Sequence, residues 1–185
     1  RVLPESSRLN LNQAGPEELL RLLGALGVER DRAAEIVRAV ADWRSPSLEG
    51  PLTEFDRYYL SLTPSFRSPH ASFRETEDLL LVKGMTPELY YGTYQRDAQG
   101  GWRAAGGLAQ CVTVRGSGPV DVNTAHPAVL AAAGLLPDQV ELLVRARREQ
   151  PFRSLAPLRN MGIAPEILGR LGVGGSQIYT LEATA

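Results

Sequence analysis

Two related helical subdomains bordered by short strands, a mainly α arrangement with a minor β part (α+β), follow from three features of the chain. The first is a phrase used twice. Leu9-Asn10-Leu11-Asn12-x-Ala14-x-Pro16 returns as Val120-Asp121-Val122-Asn123-x-Ala125-x-Pro127, so that Asn falls on Asn, Ala on Ala and Pro on Pro at one fixed offset. Two copies in one chain argue duplication. The second feature is that each copy runs on into a pair of helical stretches. The third is that each pair is trailed by a smaller hairpin led by Phe-Arg: Phe73-Arg74 before Gly84 and Pro87-Glu88, and Phe152-Arg153 before Gly162 and Pro165-Glu166. The repeat unit is therefore two hairpins long.

Taken in order, residues 1–8 read as a lead-in, and strands are expected near 8–12, 110–116, 120–123 and 177–183, where apolar and polar residues alternate. Asn12 and Asn123 end the first and third of these by bonding their own backbone two residues on. Gly15 and His126 stand at helix N-cap positions, with Pro16 and Pro127 at the first helical residue. Glu17 and Glu18 place negative charge at the positive end of the first helix dipole. The second helices carry apolar stripes, Ala33, Ile36, Val37 and Val40 in one copy and Val140, Leu143 and Val144 in the other.

The first subdomain spans 9–107 and contains a Pro/Ser-rich insertion (44–72) with one short helix around 54–62. Residues 108–118 are strand and linker, 119–175 the second subdomain, and 176–185 the start of a last strand. The stretch after Tyr94 is Gly-rich and reads as loop, and Gly172 to Gly175 reads as a helix stop. An irregular segment as long as the insertion needs something to hold it. The candidates are the aromatic cluster Phe55, Tyr58, Tyr59 and Phe66, or a bound ion.

Composition excludes several classes. With 43% apolar residues the chain buries an ordinary core. A net charge of −1 with interspersed signs gives no charge-driven pull toward nucleic acid or membrane. No run reaches a membrane span, and the opening RVLPESSR is neither a signal peptide nor an initiator start, so an upstream segment is expected. Cys111 is the single cysteine, which rules out an internal disulfide.

Catalysis has little to stand on. His70 and His126 read as surface or capping histidines, Cys111 as a small core residue, and no Gly-x-Ser-x-Gly elbow is present. The basic run Arg145, Arg147, Arg148 and Arg153 is the strongest nucleic-acid signal, although Glu141 and Glu149 flank Arg145 at helical spacing. Helix-hairpin-helix DNA binders present backbone N–H groups to a phosphate from a Gly-apolar-Gly turn. Here Gly134-Leu135-Leu136, Gly84-Met85-Thr86 and Gly162-Ile163-Ala164 each lack the second glycine; only Gly24-Ala25-Leu26-Gly27 keeps two, one residue too far apart. The insertion and its border offer carboxylates to a calcium ion at Asp42, Glu49, Glu54 and Asp56, with no EF-hand spacing.

The order LNLN-x-A, Ala41-Asp42-Trp43, Asp56-x-Tyr58-Tyr59, Glu77-x-Leu79-Leu80-x-Val82-x-Gly84-Met85 and VDVNTA resembles the periplasmic region of the type II secretion minor pseudopilin K (GspK) family, over nearly the whole chain. The resemblance implies duplicated helix-hairpin-helix, SAM-like subdomains inserted into a small pilin-like sheet, with no enzymatic activity. It implies a subunit at the pseudopilus tip whose neighbours are minor pseudopilins I and J. The periplasmic body would be anchored in the inner membrane by an N-terminal helix. The Asn-Thr-Ala phrase also occurs in ComEA-like DNA receptors, so a helix-hairpin-helix DNA-binding protein is the alternative, with Arg145, Arg148 and Arg153 as its contacts.

Described members of the family bind calcium. Here the acidic pattern after Asp42-Trp43 is replaced by Arg44-Ser45-Pro46-Ser47, and only Asp42 and Asp56 remain in register. If calcium is held, Asp42, Glu54 and Asp56 are its ligands. The expectation is instead that Phe55, Tyr58 and Tyr59 order the insertion by packing.

Overall fold

The computed structural model describes residues 2–46, 50–96, 101–174 and 178–181. Its elements run β1 (Val2–Pro4), a 3-10 turn (Glu5–Ser7), β2 (Leu9–Asn10), α1 (Pro16–Ala25), α2 (Arg30–Arg44), α3 (Glu54–Leu60), a 3-10 turn (Thr76–Leu81) and α4 (Pro87–Tyr91). Then follow β3 (Gly92–Arg96), β4 (Trp102–Gly106), a 3-10 turn (Leu108–Gln110), β5 (Val112–Thr113), β6 (Val120–Asp121), α5 (Pro127–Ala133), α6 (Pro137–Glu149), α7 (Ala156–Arg159), α8 (Pro165–Leu168), β7 (Leu171–Gly172) and β8 (Tyr179–Leu181). The architecture is mainly helical with short strands, and among the described residues the strands form four separate two-stranded pairs.

The helices start where their local chemistry directs. Gly15 N–H donates to Glu18 Oε2 at 2.8 Å, with Pro16 at the first helical position of α1. Glu29 caps α2 by accepting from the N–H groups of Asp31 and Arg32. His126 caps α5 through Nδ1, which accepts from Ala128 N–H at 3.2 Å. Leu136 N–H, at the start of α6, donates to Gln139 Oε1 at 3.0 Å. Helix α5 ends on Gly134 at φ 115, a left-handed conformation that a side chain would strain.

Each repeat is closed by its own first and last strands. β2 lies parallel to β5 through Leu9 N–H to Cys111 O and Leu11 N–H to Thr113 O, both 2.8 Å. β6 lies parallel to β7 through Val120 N–H to Arg170 O (2.8 Å) and Val122 N–H to Gly172 O (3.0 Å). Parallel partners need a long crossover, and here the two hairpins of each repeat are that crossover. The repeats meet where α1 packs on α5, and one apolar core runs through both, with Leu22 of α1 and Leu130 of α5 fully enclosed.

Three expectations need correcting. The Gly-rich segment after Tyr94 forms a β-hairpin, with β3 antiparallel to β4 from Gly92↔Gly106 to Arg96↔Trp102; residues 97–100 lie outside the described set. The lead-in contains β1, which pairs antiparallel with β8, Val2 facing Leu181. Leu171–Gly172 is a strand closing the second repeat rather than a helix stop. In each case the missing information is the partner strand, because two to five residues acquire strand identity only by pairing. Of the expected terminal strand, residues 179–181 pair; residues 177, 182 and 183 lie outside the described set, as does Gly175.

Candidate functional site

The repeated Asn does a different job from the one its position suggests. The bend two residues on is made by Asn10 and Asp121, whose Oδ1 atoms accept from Asn12 N–H (2.8 Å) and Asn123 N–H (3.3 Å). Asn12 and Asn123 instead reach across to the trailing hairpins. Asn12 Nδ2 donates to Phe73 O (3.0 Å) and its Oδ1 accepts from Phe73 N–H (2.8 Å); Asn123 treats Phe152 identically at 2.9 and 2.8 Å. An arginine completes each clamp. Arg44 Nη1 donates to Leu11 O and Ala14 O at 2.5 and 3.0 Å, and Arg147 Nη1 to Val122 O and Ala125 O, both 2.8 Å. Reading single residues misses this; aligning the two copies and asking why Asn and Phe recur together would have found it.

In the first repeat the insertion docks on the end of α2. Trp43, buried there, stacks on Phe73 (centroids 5.5 Å apart, planes 3° apart) and meets Tyr59 and Phe66 edge-on at 6.1 and 6.4 Å. Tyr59 and Phe66 stack at 4.9 Å, and Tyr59 Oη accepts from Lys83 N–H at 3.2 Å. Lys83 pairs with Glu35 at 2.8 Å, and its ammonium lies 4.9 Å from the Tyr58 ring centroid. Aromatic packing of this kind fills the place foreseen for it, with Trp43 and Phe73 as members that composition alone did not nominate.

Beside the aromatics lies a polar centre. Asp56 is fully buried in the first turn of α3, where Thr53 N–H donates to its Oδ2 at 3.3 Å and Thr53 Oγ1 accepts from Asp56 N–H at 3.0 Å. His70, at φ 45, places Nε2 3.1 Å from each Asp56 carboxylate oxygen, and Arg67 Nε lies 3.6 Å from Oδ1. His70 Nδ1 faces Ser45 O at 3.1 Å and Asp42 O at 3.2 Å. Burial alone would raise the Asp56 carboxyl, but the His70 hydrogen bond, the Thr53 amide and the charges of His70 and Arg67 together hold it below its ordinary 3.8. His70, read from sequence as a surface or capping group, has a side chain only 6% exposed.

Residues 5–92 match the sequence profile of the family described as type II secretion system (T2SS), protein K. That stretch is just under half of the chain. A relative, the type II secretion system protein K of Pseudomonas aeruginosa, is 28% identical over 166 residues, which cover 83% of this chain and 45% of that protein. The chain thus spans less than half of that relative's length. In fold it is similar to a chain of the GspK–GspI–GspJ complex of the enterotoxigenic Escherichia coli type 2 secretion system, with a TM-score of 0.62 at 18% identity, covering 93% of this chain and 64% of that one.

The likeness to protein K raises the question of calcium at Asp42, Glu54 and Asp56. As arranged, these residues do not fit the ion. Glu54 is exposed, and both Asp56 oxygens already face N–H groups. The carbonyls of Asp42 and Ser45, the backbone oxygens a calcium shell would draw on, face the His70 ring. Asp42 turns Oδ2 inward without a hydrogen bond, the one feature that favours a cation at this place. Glu49 lies outside the described residues. Among the described residues, no group of three His, Cys, Asp or Glu side chains is placed to hold a metal.

The residues nominated for DNA are arranged for other work. Arg145 pairs with Glu141 at 3.1 Å, Arg148 and Arg153 are exposed, and Arg147 of the same run points inward as the second clamp. Several of the turn amides that would meet a phosphate are spent internally. Gly134 N–H donates to Ala131 O, Leu135 N–H to Leu130 O, Leu136 N–H to Gln139 and Met85 N–H to Val82 O. Cys111 is buried, and desolvation pushes its thiol up to about 12, which leaves it inert.

Proposed function

We propose that this chain is the periplasmic body of a minor pseudopilin, a non-enzymatic subunit that works at the tip of a type II secretion pseudopilus and contacts the I- and J-type minor pseudopilins. Its anchor in the inner membrane would be an N-terminal helix beyond residues 1–185. The observation that carries this reading is the protein K profile over residues 5–92, a stretch that contains Trp43, the Asp56–His70 centre and the first Asn–Phe clamp. The fold likeness to a chain of a GspK–GspI–GspJ complex supports the same partners. A role built on shape suits the reactive groups, since Cys111 is enclosed, His126 caps a helix and His70 is enclosed against Asp56.

The test is assembly. Mixed with the soluble bodies of the I- and J-type minor pseudopilins of the same organism, the chain should elute with both as one complex in size-exclusion chromatography with light scattering. Elution alone, joined with duplex DNA binding at low salt that Arg145→Glu with Arg148→Glu abolishes, would replace this reading by the DNA-binding one.

A further inference from the structure

We propose that the His70 ring stands in for a metal ion: it fills an oxygen cage that fastens the insertion to the end of α2, so that the insertion is ordered without a bound cation. The cage has four oxygens from three residues. Asp56 supplies two from the start of α3, and the carbonyls of Asp42 and Ser45 supply two from the end of α2, all 3.1–3.2 Å from a ring nitrogen. Carboxylate and carbonyl oxygens around one centre are the surroundings a hard cation seeks. The C-terminal carbonyls of a helix add the negative end of its dipole.

Every oxygen of the cage already faces the ring. Nδ1 lies against the two carbonyl oxygens and Nε2 against both carboxylate oxygens in an enclosed place, while Thr53 N–H and Arg67 Nε take further positions on Asp56. Backbone geometry points the same way. A residue with a β-carbon is strained at φ 45, and the strain is held in place by the ring's contacts on both sides. Arg67 adds a second side chain from the insertion to the same carboxylate, at 3.6 Å from Asp56 Oδ1. This inference does not depend on the secretion assignment.

The experiment is thermal melting of the whole chain in millimolar calcium, in chelator and with added imidazole. The unmodified chain should melt at one temperature in calcium and in chelator. His70→Gly removes the ring while relieving the strained φ, and should still lower the melting temperature by several degrees. Added imidazole should restore part of that loss in His70→Gly and none in His70→Gly with Asp56→Asn. A rise of several degrees for the unmodified chain in calcium, the shift expected of a saturating folded-state ligand, would overturn the proposal. So would a His70→Gly variant as stable as the parent, or one that imidazole leaves unchanged. Should that variant fail to fold, calorimetric titration of the unmodified chain with calcium carries the test. No saturable heat up to millimolar calcium upholds the proposal and saturable binding overturns it.

Discussion

At the scale of single residues, His126 shows how a side chain is committed to one protonation state by where it sits. Its Nδ1 accepts the Ala128 amide, which only the unprotonated nitrogen can do. Burial, and behind it the charge of Arg147, hold its pKa below the ordinary 6.5. With the folded value below the unfolded one, the unfolded chain takes up the proton first. Stability from this group is complete above about 6.5 and is lost as pH falls from there through the depressed folded value. His126→Asn keeps a capping oxygen and removes the titration. Denaturation midpoints of the parent should therefore fall relative to those of His126→Asn as pH drops from 7 toward 5, and parallel curves would refute this account.

Elements are joined here by side chains that replace missing strands. Among the described residues, Phe73 and Phe152 at the head of the trailing hairpins lie in no strand, and the Asn of each repeat supplies both a donor and an acceptor to the Phe backbone. Removing such a pair leaves a buried N–H and C=O unsatisfied, which costs about 1–3 kcal/mol for each group in unfavourable cases. Asn12→Ala and Asn123→Ala should each lower stability by roughly 2 kcal/mol in urea unfolding, with the slope unchanged. A loss under about 0.5 kcal/mol in both would mean that the clamps only follow the packing. Similar bridges recur one step further along. Arg32 Nε and Nη2 donate to Gly84 O at 3.1 and 3.0 Å, and Gln139 Nε2 to Gly162 O at 2.9 Å, so that different residues perform the same task in the two copies.

Over the whole molecule the two repeats share a core, because α1 lies on α5 and each helix buries side chains in it, Leu22 and Leu130 among them. Each repeat would expose that face if separated, so the chain should unfold in one transition. Leu22→Ala or Leu130→Ala should cost about 2–5 kcal/mol and move far- and near-ultraviolet dichroism together. Two resolved transitions would show that the halves are independent. The pairing of β1 with β8 brings residues near the two ends of the chain together and leaves Tyr179 and Leu181 exposed, 56% and 77% accessible.

Helix starts, the duplication and the apolar stripes were legible because they are written in neighbouring residues: a Pro at the first helical position, a cap before it, Ile36, Val37 and Val40 on one face. A helix satisfies its backbone within itself, so local chemistry determines it. The strands β1, β3, β4 and β7 were not legible, because two to five residues form a strand only when a distant segment supplies the other half of the hydrogen bonds. The same physical reason separates the two readings of the insertion. Aromatic residues beside the acids announced a packed loop from composition, whereas the fate of His70 depended on two carbonyls and a carboxylate converging from α2 and α3. Only the tertiary structure brings those oxygens to one ring.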